Sequence, residues 1–267
     1  MATAEINSMA LFCDFENIAL GVSDAKYEKF DMQKVLQRLL LKGSIVVKKA
    51  YCDWDRYRQF KAAMHEAAFE LIEIPHVRQS GKNSADIRMV VDALDLCYTK
   101  SHVDTFVIIS GDSDFSPLVS KLRENAKVVI GVGVKNSTSD LLIANCDEFI
   151  YYDDLVREKQ SQRRPPKKAA VKPEGEKPAR KGEEEKMQEA FDLVVGTLEA
   201  LIKERGAEER IWGSMVKQAL KRRLPGFNES YHGFAGFNEL LEEAQARGLV
   251  KLEHDEKSGG YIVQMPK

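Results

Sequence analysis

The chain lacks any apolar run approaching the roughly 20 residues that a bilayer crossing needs. Its first residues, Met1 to Met9, also lack the basic-then-apolar order of a secretion signal. The expectation is a soluble, intracellular, cytoplasmic protein with no membrane partner. Cysteine is scarce, with four residues: Cys13, Cys52, Cys97 and Cys146. None stands in a CxxC pair or in a Cys/His spacing suited to zinc. Each lies in or beside an apolar segment, the setting of a buried free thiol in a reducing compartment. No glycine-rich turn follows the first apolar run, which argues against a dinucleotide-binding Rossmann domain. No internal repeat is present. Charge of one sign is lacking as well: the net charge is −2, which by itself says nothing about nucleic acid.

With 267 residues, 43% of them hydrophobic and 31% charged, the chain can hold one large domain or two smaller ones. Its charge is uneven. Residues 1–156 carry 18 basic and 23 acidic side chains, a balance of −5; residues 157–186 carry 11 and 6, or +5; residues 187–267 carry 11 and 13, or −2. The middle stretch contains SQRRPPKKAAVKPEGEKPARKGEEEK, with four prolines and almost no large apolar side chain. It buries too little to offset the entropy of ordering and reads as a basic flexible linker. Its cations act either as a solvated tether or as an electrostatic arm for RNA or DNA.

Before the linker, short apolar runs alternate with amphipathic stretches. Strands are predicted at Met9–Phe15, Ile45–Cys52, Phe69–Ile74, Thr105–Ile109, Val128–Val132 and Glu148–Tyr151. Helices are predicted at Asp31–Leu41, with Asp31 as N-cap, and at Asp55–Ala68, with Asp53 and Asp55 as turn and N-cap residues. Others follow at Ser84–Tyr98, Phe115–Glu124 and Asp140–Ala144. The third of these carries Ile87, Val90, Val91 and Leu94 at 3–4 spacing. Alternation of this kind predicts an α/β fold, a mainly parallel sheet sandwiched by helices. After the linker, helices at Met187–Arg205, Gly213–Arg223 and Phe234–Arg247 precede a hairpin of Val250–His254 and Tyr261–Gln264. Three helices and a two-stranded wing describe a small winged-helix (α+β) module.

Ligands of a parallel α/β sheet sit at the carboxyl ends of its strands. Asp14 ends the first strand, Asp112 and Asp114 follow the strand FVIIS in SGDSDF, and Asp86 opens the third helix in KNSAD. Carboxylates gathered on one edge repel unless cations compensate, and hard cations with oxygen ligands, Mg²⁺ or Mn²⁺, suit them. Such a site cleaves phosphodiesters by activating water and stabilising the leaving oxygen. In that reading the four aspartates are metal ligands and catalytic residues. Asn17 orients a carboxylate or the phosphate, Gly111 permits a tight turn, Ser110 and Ser113 hydrogen-bond the ligands, and Lys82 contacts phosphate. Several acids also have a plainer reading: Asp112 as a helix cap, Asp86 as an acid at a helix start, Asp140 as the cap of a short helix or else an auxiliary ligand, Asp92 and Asp95 as helix-surface residues; Asp14, directly after an apolar run, is harder to dismiss.

Four ordered blocks, FCDFENI, KNSADIRMVVDALDL, FVIISGDSDFSPLVSKLRE and DLLIANCDEFIYYDDL, resemble the NYN domain family, LabA-like branch, of the PIN-like nuclease superfamily. The resemblance covers about residues 8–156 and implies a parallel α/β sheet with divalent-metal ribonuclease chemistry. By position, Asp14, Asp86, Asp112 and Asp114 match its acidic site, and Asn17 matches the asparagine after its first acid. Glu16 is expected to alternate away from Asp14 if the strand continues. It also stands where an aspartyl phosphotransferase would need a second aspartate, which argues against that chemistry. The segment Arg210 to His254, with LPGF, YHGF and FNELLEEA, resembles the OST-HTH or LOTUS domain. That resemblance implies a winged helix binding single-stranded or G-rich structured RNA, or protein partners. There Lys217, Lys221, Arg222 and Arg223 are candidate phosphate contacts, or simply complement the helix C-terminus. Tyr231 or His232 is a candidate base-stacking residue, while Phe227, Phe234 and Phe237 read as core and Trp212 fits either role. Two functions follow: a metal-dependent ribonuclease whose second module selects RNA, or an RNA-binding adaptor with a weak or inactive nuclease domain.

Overall fold

The computed structural model describes residues 7–74, 84–162, 178–205, 210–255 and 259–266. The chain divides into two units, Met1–Lys159 and Gln160–Lys267.

The first unit is built on a six-stranded, wholly parallel sheet of order β3-β2-β1-β4-β5-β6. Its strands are β1 (Ser8–Asp14), β2 (Ser44–Cys52), β3 (Glu70–Glu73), β4 (Thr105–Ile109), β5 (Val128–Gly133) and β6 (Glu148–Tyr151). Helices connect them: α1 (Phe15–Asp24) and α2 (Met32–Leu40), then α3 (Arg58–Glu66), α4 (Ser84–Thr99), α5 (Ser116–Glu124) and α6 (Asp140–Asn145); α7 (Tyr152–Gln162) follows the sheet. The two-residue period of a strand sends neighbours to opposite faces. In β1, Met9, Leu11 and Cys13 join one buried cluster, with side chains of α1, α2, α3 and α7. Ala10 and Phe12 join the other, with side chains of α4, α5 and α6. Both faces are thus covered, as a parallel sheet requires. The four cysteines are buried free thiols.

Three local expectations change. The strand starting at Met9 stops at Asp14 and a helix begins at once, because the Asp14 side chain caps it, accepting from the Asn17 backbone N at 3.3 Å. Helix α3 begins at Arg58 with no side-chain cap; Asp53 closes the preceding turn, accepting from the Asp55 N at 3.2 Å, and Asp55 instead pairs with Arg58 at 3.3 Å. In α4 the fully buried stripe is Met89, Ala93 and Cys97; Val90 and Leu94 pack partly buried against the same cluster, and Ile87 and Val91 are exposed.

The second unit contains α8 (Pro178–Arg205), α9 (Gly213–Arg223), α10 (Phe237–Ala246) and an antiparallel pair, β7 (Lys251–Asp255) and β8 (Gly260–Gln264). Its core gathers Phe191, Phe227, Phe234 and Phe237 with Leu240 and Leu241. Helices α7 and α8 reach into the predicted linker from either side, and its residues 163–177 lie outside those described. No helix among the described residues is long and apolar enough to cross a membrane.

Candidate active site

From β1 the chain moves outward through β2 to β3, then returns to the other side of β1 as β4. The carboxyl ends of β1 and β4 are therefore where the connections part in opposite directions, the place where an open α/β sheet leaves a crevice. Asp14 is the last residue of β1, and Ser110 to Asp114 follow β4.

A short network ties the two strand ends together. Ser110 Oγ donates to Asp14 Oδ2 at 3.1 Å and accepts from the Asp112 N at 3.2 Å. Asn17 Oδ1 accepts from the Gly111 N at 2.8 Å. Asn17 thereby holds the loop after β4 through its side chain and Asp14 through its backbone N. Asp112 accepts from the Asp114 N at 3.0 Å, capping the 3₁₀ turn Ser113–Phe115 that leads into α5. Its capping role and its place among the acids coexist. Gly111 is required by close approach: a Cβ there would stand 2.4 Å from the Ser137 carbonyl oxygen. Below the site, Phe15 is fully buried against Trp54, Phe60 and Tyr57, with ring centroids 4.9, 5.1 and 5.8 Å away. That cluster fixes the start of α1 and with it Asp14.

The acids form a gradient of exposure. Asp14 is 8% exposed, Asp86 and Asp112 are half-buried, and Asp114 is exposed. Burial, then the Asp86 charge, pushes the Asp14 carboxyl up to about 7, against the lowering effect of its bonds from Asn17 and Ser110; Asp112 adds to the rise. Asp86, in the first turn of α4, is raised to about 6 by burial, then by Asp112, Asp114 and Glu16. The four aspartates thus share one field. Glu16 shares it too. Because α1 starts at Phe15, Glu16 sits in the first helical turn, where it pairs with Arg56 at 3.1 Å and acts on Asp86. Glu16 was expected to turn away from Asp14; residues two apart on a strand in fact share a face, and here the helix start sets its place instead.

The chemistry of this donor set, oxygen-only and mutually repelling, fits a hard divalent cation. Among the described residues no three acidic, histidine or cysteine groups are disposed to hold one ion.

The remaining candidates separate. Ser113 stands on the 3₁₀ turn beside Asp114. Lys82 lies outside the described residues. Asp140 does not cap α6; Ser139 does, accepting from the Leu141 N at 3.2 Å. Asp92 is no plain surface residue: it accepts from Tyr51 Oη at 2.8 Å and pairs with Arg88 at 3.1 Å and Lys49 at 3.4 Å. In the second unit, Lys217 pairs with Glu229 at 2.8 Å and lies over the Phe237 ring. Lys221 is half-buried, and Arg222 and Arg223 are exposed at the end of α9. Tyr231 is half-buried under the Lys186 ammonium, 4.8 Å from its ring centroid. His232 is buried, with Nδ1 2.7 Å from the Lys186 carbonyl oxygen and its ring on Phe227, so it offers no open face for a base. A cavity of about 440 Å³, which the sequence did not reveal, brings Trp212, Lys217, Phe237 and Tyr261 together.

Comparison with known proteins finds similar chains. An uncharacterised protein of Methanocaldococcus jannaschii is 28% identical over 137 residues, covering 50% of this chain and 54% of that protein. The chain thus spans about half the length of this curated relative. A crystal structure of a protein of unknown function from Vibrio parahaemolyticus is similar at a TM-score of 0.51 and 27% identity, covering 58% of this chain and 98% of that one. The NYN domain model matches residues 8–153, which run from the start of β1 to just past β6 and include all four aspartates. With more than half its length matched, the chain belongs to the NYN domain family, within the PIN-like nuclease superfamily.

Proposed function

We propose that the chain is a metal-dependent ribonuclease that hydrolyses RNA phosphodiester bonds at Asp14, Asp86, Asp112 and Asp114. The observation that carries this reading is their shared field at the β1/β4 crevice, which holds Asp14 and Asp86 well above the usual carboxylate range. A bound Mg²⁺ or Mn²⁺ supplies phosphate polarisation and an acidified water. Asp14, fixed by Asn17 and Ser110, is the rigid ligand. Holding an ion would require the deprotonated Asp14 carboxylate, so affinity for it should rise with pH. The more exposed Asp112 and Asp114 adjust to ion and substrate. Asn17 keeps the β1 and β4 ends in register, and Lys82 and Ser113 serve the phosphate.

In this reading residues 1–156 are the nuclease domain, 157–186 a basic linker, and 187–267 an OST-HTH/LOTUS winged helix. Supporting the last assignment are the three helices, the antiparallel pair and the motifs LPGF, YHGF and FNELLEEA. Lys217, Lys221, Arg222, Arg223 and Tyr231 would meet RNA there, single-stranded or G-rich, and protein partners are a further role for the module. The test is cleavage of single-stranded, duplex and G-rich RNAs by the full chain with Mg²⁺ or Mn²⁺, and with EDTA. Metal-dependent cutting of single strands is expected. One alternative is an RNA-binding adaptor with a weak or inactive nuclease domain. RNA binding that persists in EDTA, with no cleavage under either metal, would select it.

A further inference from the structure

Beside the acids lies a groove of about 710 Å³ that carboxylate chemistry alone does not use. Helix α4 forms one side with Ile87, Val90 and Val91, and α6 adds Leu141. Ile87, Val91 and Leu141 are each more than half exposed, at 63%, 56% and 57%. Single exposed apolar residues need no explanation, but three lining one groove do. The 3₁₀ turn and α5 supply the other side, rich in hydroxyls from Ser113, Ser116 and Ser120. Ser116 is 6% exposed, and its Oγ is shut off from water without a hydrogen-bond partner. Asp86 and Asp114 line the same groove, which makes it continuous with the acid cluster.

The chemistry narrows the occupant. The residues described along the groove are mainly aliphatic and hydroxyl side chains with two carboxylates, which suits a flat apolar occupant with polar edges better than a phosphate backbone. An apolar helix of a partner protein would cover the aliphatic side but strand the carboxylates and the Ser113 hydroxyl without partners, which is costly. A nucleobase supplies both needs: flat apolar faces for Ile87, Val90 and Val91, and edge N–H groups and lone pairs for the Ser113 and Ser120 hydroxyls. We propose that this groove receives an unpaired nucleobase of the same strand whose phosphate lies at Asp14, Asp86, Asp112 and Asp114. The assignment rests on the nuclease reading and deepens it. A paired base cannot leave its stack without cost, so the groove selects single strands and sets the cleavage register.

The test measures binding apart from cleavage. Fluorescence anisotropy of the full-length Asp112→Asn protein with Mg²⁺ gives the Kd of a short single-stranded RNA, and of the same strand with an abasic residue at each position in turn. One abasic position should weaken binding about tenfold. The added change Ile87→Ser with Val91→Ser should weaken binding of the intact strand by a similar factor and abolish the abasic effect. Leu40→Ser, an equally exposed site on α2, should change neither. Unaltered affinity and abasic sensitivity in the groove variant would overturn the assignment, as would failure to bind any strand. So would a dimer, seen by sedimentation, that the groove variant disperses, because the occupant would then be a second copy. Cleavage by the native protein with a silent groove variant would retain the nuclease and remove the groove. Groove-dependent binding without cleavage by the native protein would do the reverse.

Discussion

Asp14 carries two duties that pull its protonation in opposite directions. As a cap and hydrogen-bond acceptor it is favoured as a carboxylate; buried beside Asp86 and Asp112 it is favoured as an acid. Burial and repulsion win, and the carboxyl rises from 3.8 to about 7. Between those values the folded protein holds a proton that the unfolded chain has released. Its contribution to stability is therefore full below about pH 4 and is lost as pH rises to about 7. Asn cannot ionise, so Asp14→Asn should be more stable than the parent at pH 8 by about 2 kcal/mol, with no such gain at pH 4. Urea unfolding in EDTA, followed through Trp54 in a Trp212→Phe background, reads this directly. An Asp14→Asn effect of the same size at both pH values would contradict the electrostatic account.

The elements that place the site differ in how far the sequence announced them. Strands β1 and β4 were legible, because MALFCD and TFVII are apolar runs too short for helices and rich in residues that suit a buried strand. Asp14 and the Asp112/Asp114 pair were therefore legible as strand-end acids. Helix α1 was not, because the residue that starts it is Asp14 itself, and one residue read as a site acid was not also read as a cap. That omission misplaced Glu16. The apolar spacing read in α4 is divided between the core and the surface for a packing reason. Ala93 and Cys97 are small and let the helix approach the sheet, while the more hydrophobic stripe of Ile87, Val90 and Val91 is left to line the groove. Gly111 was read as a turn glycine, yet its constraint comes from a segment distant in sequence, the backbone at Ser137 and Thr138. A carbonyl oxygen and a Cα cannot rotate aside, so Gly111→Ala should destabilise the first unit by about 2–3 kcal/mol. It should also lower activity by moving Asp112. A neutral Gly111→Ala in thermal unfolding would mean that this loop yields where the packing says it cannot.

Across the whole molecule, an ordinary net charge conceals an uneven distribution, −5 over residues 1–156, +5 over 157–186 and −2 over 187–267. The unit that matches the NYN family carries the acids, and the other carries the exposed Arg222 and Arg223 at the end of a helix. Strand order explains why residues as far apart in sequence as Asp14 and Asp112 meet: β1 and β4 are neighbours and their connections part there. The account stands on those carboxylates performing the cleavage. Its most direct test is the single-turnover rate of single-stranded RNA cleavage in Mn²⁺ at pH 8, comparing the native chain with Asp112→Asn. A loss of about 10³-fold or more, some 4 kcal/mol of transition-state stabilisation, is predicted. Cleavage by Asp112→Asn at the native rate would contradict it.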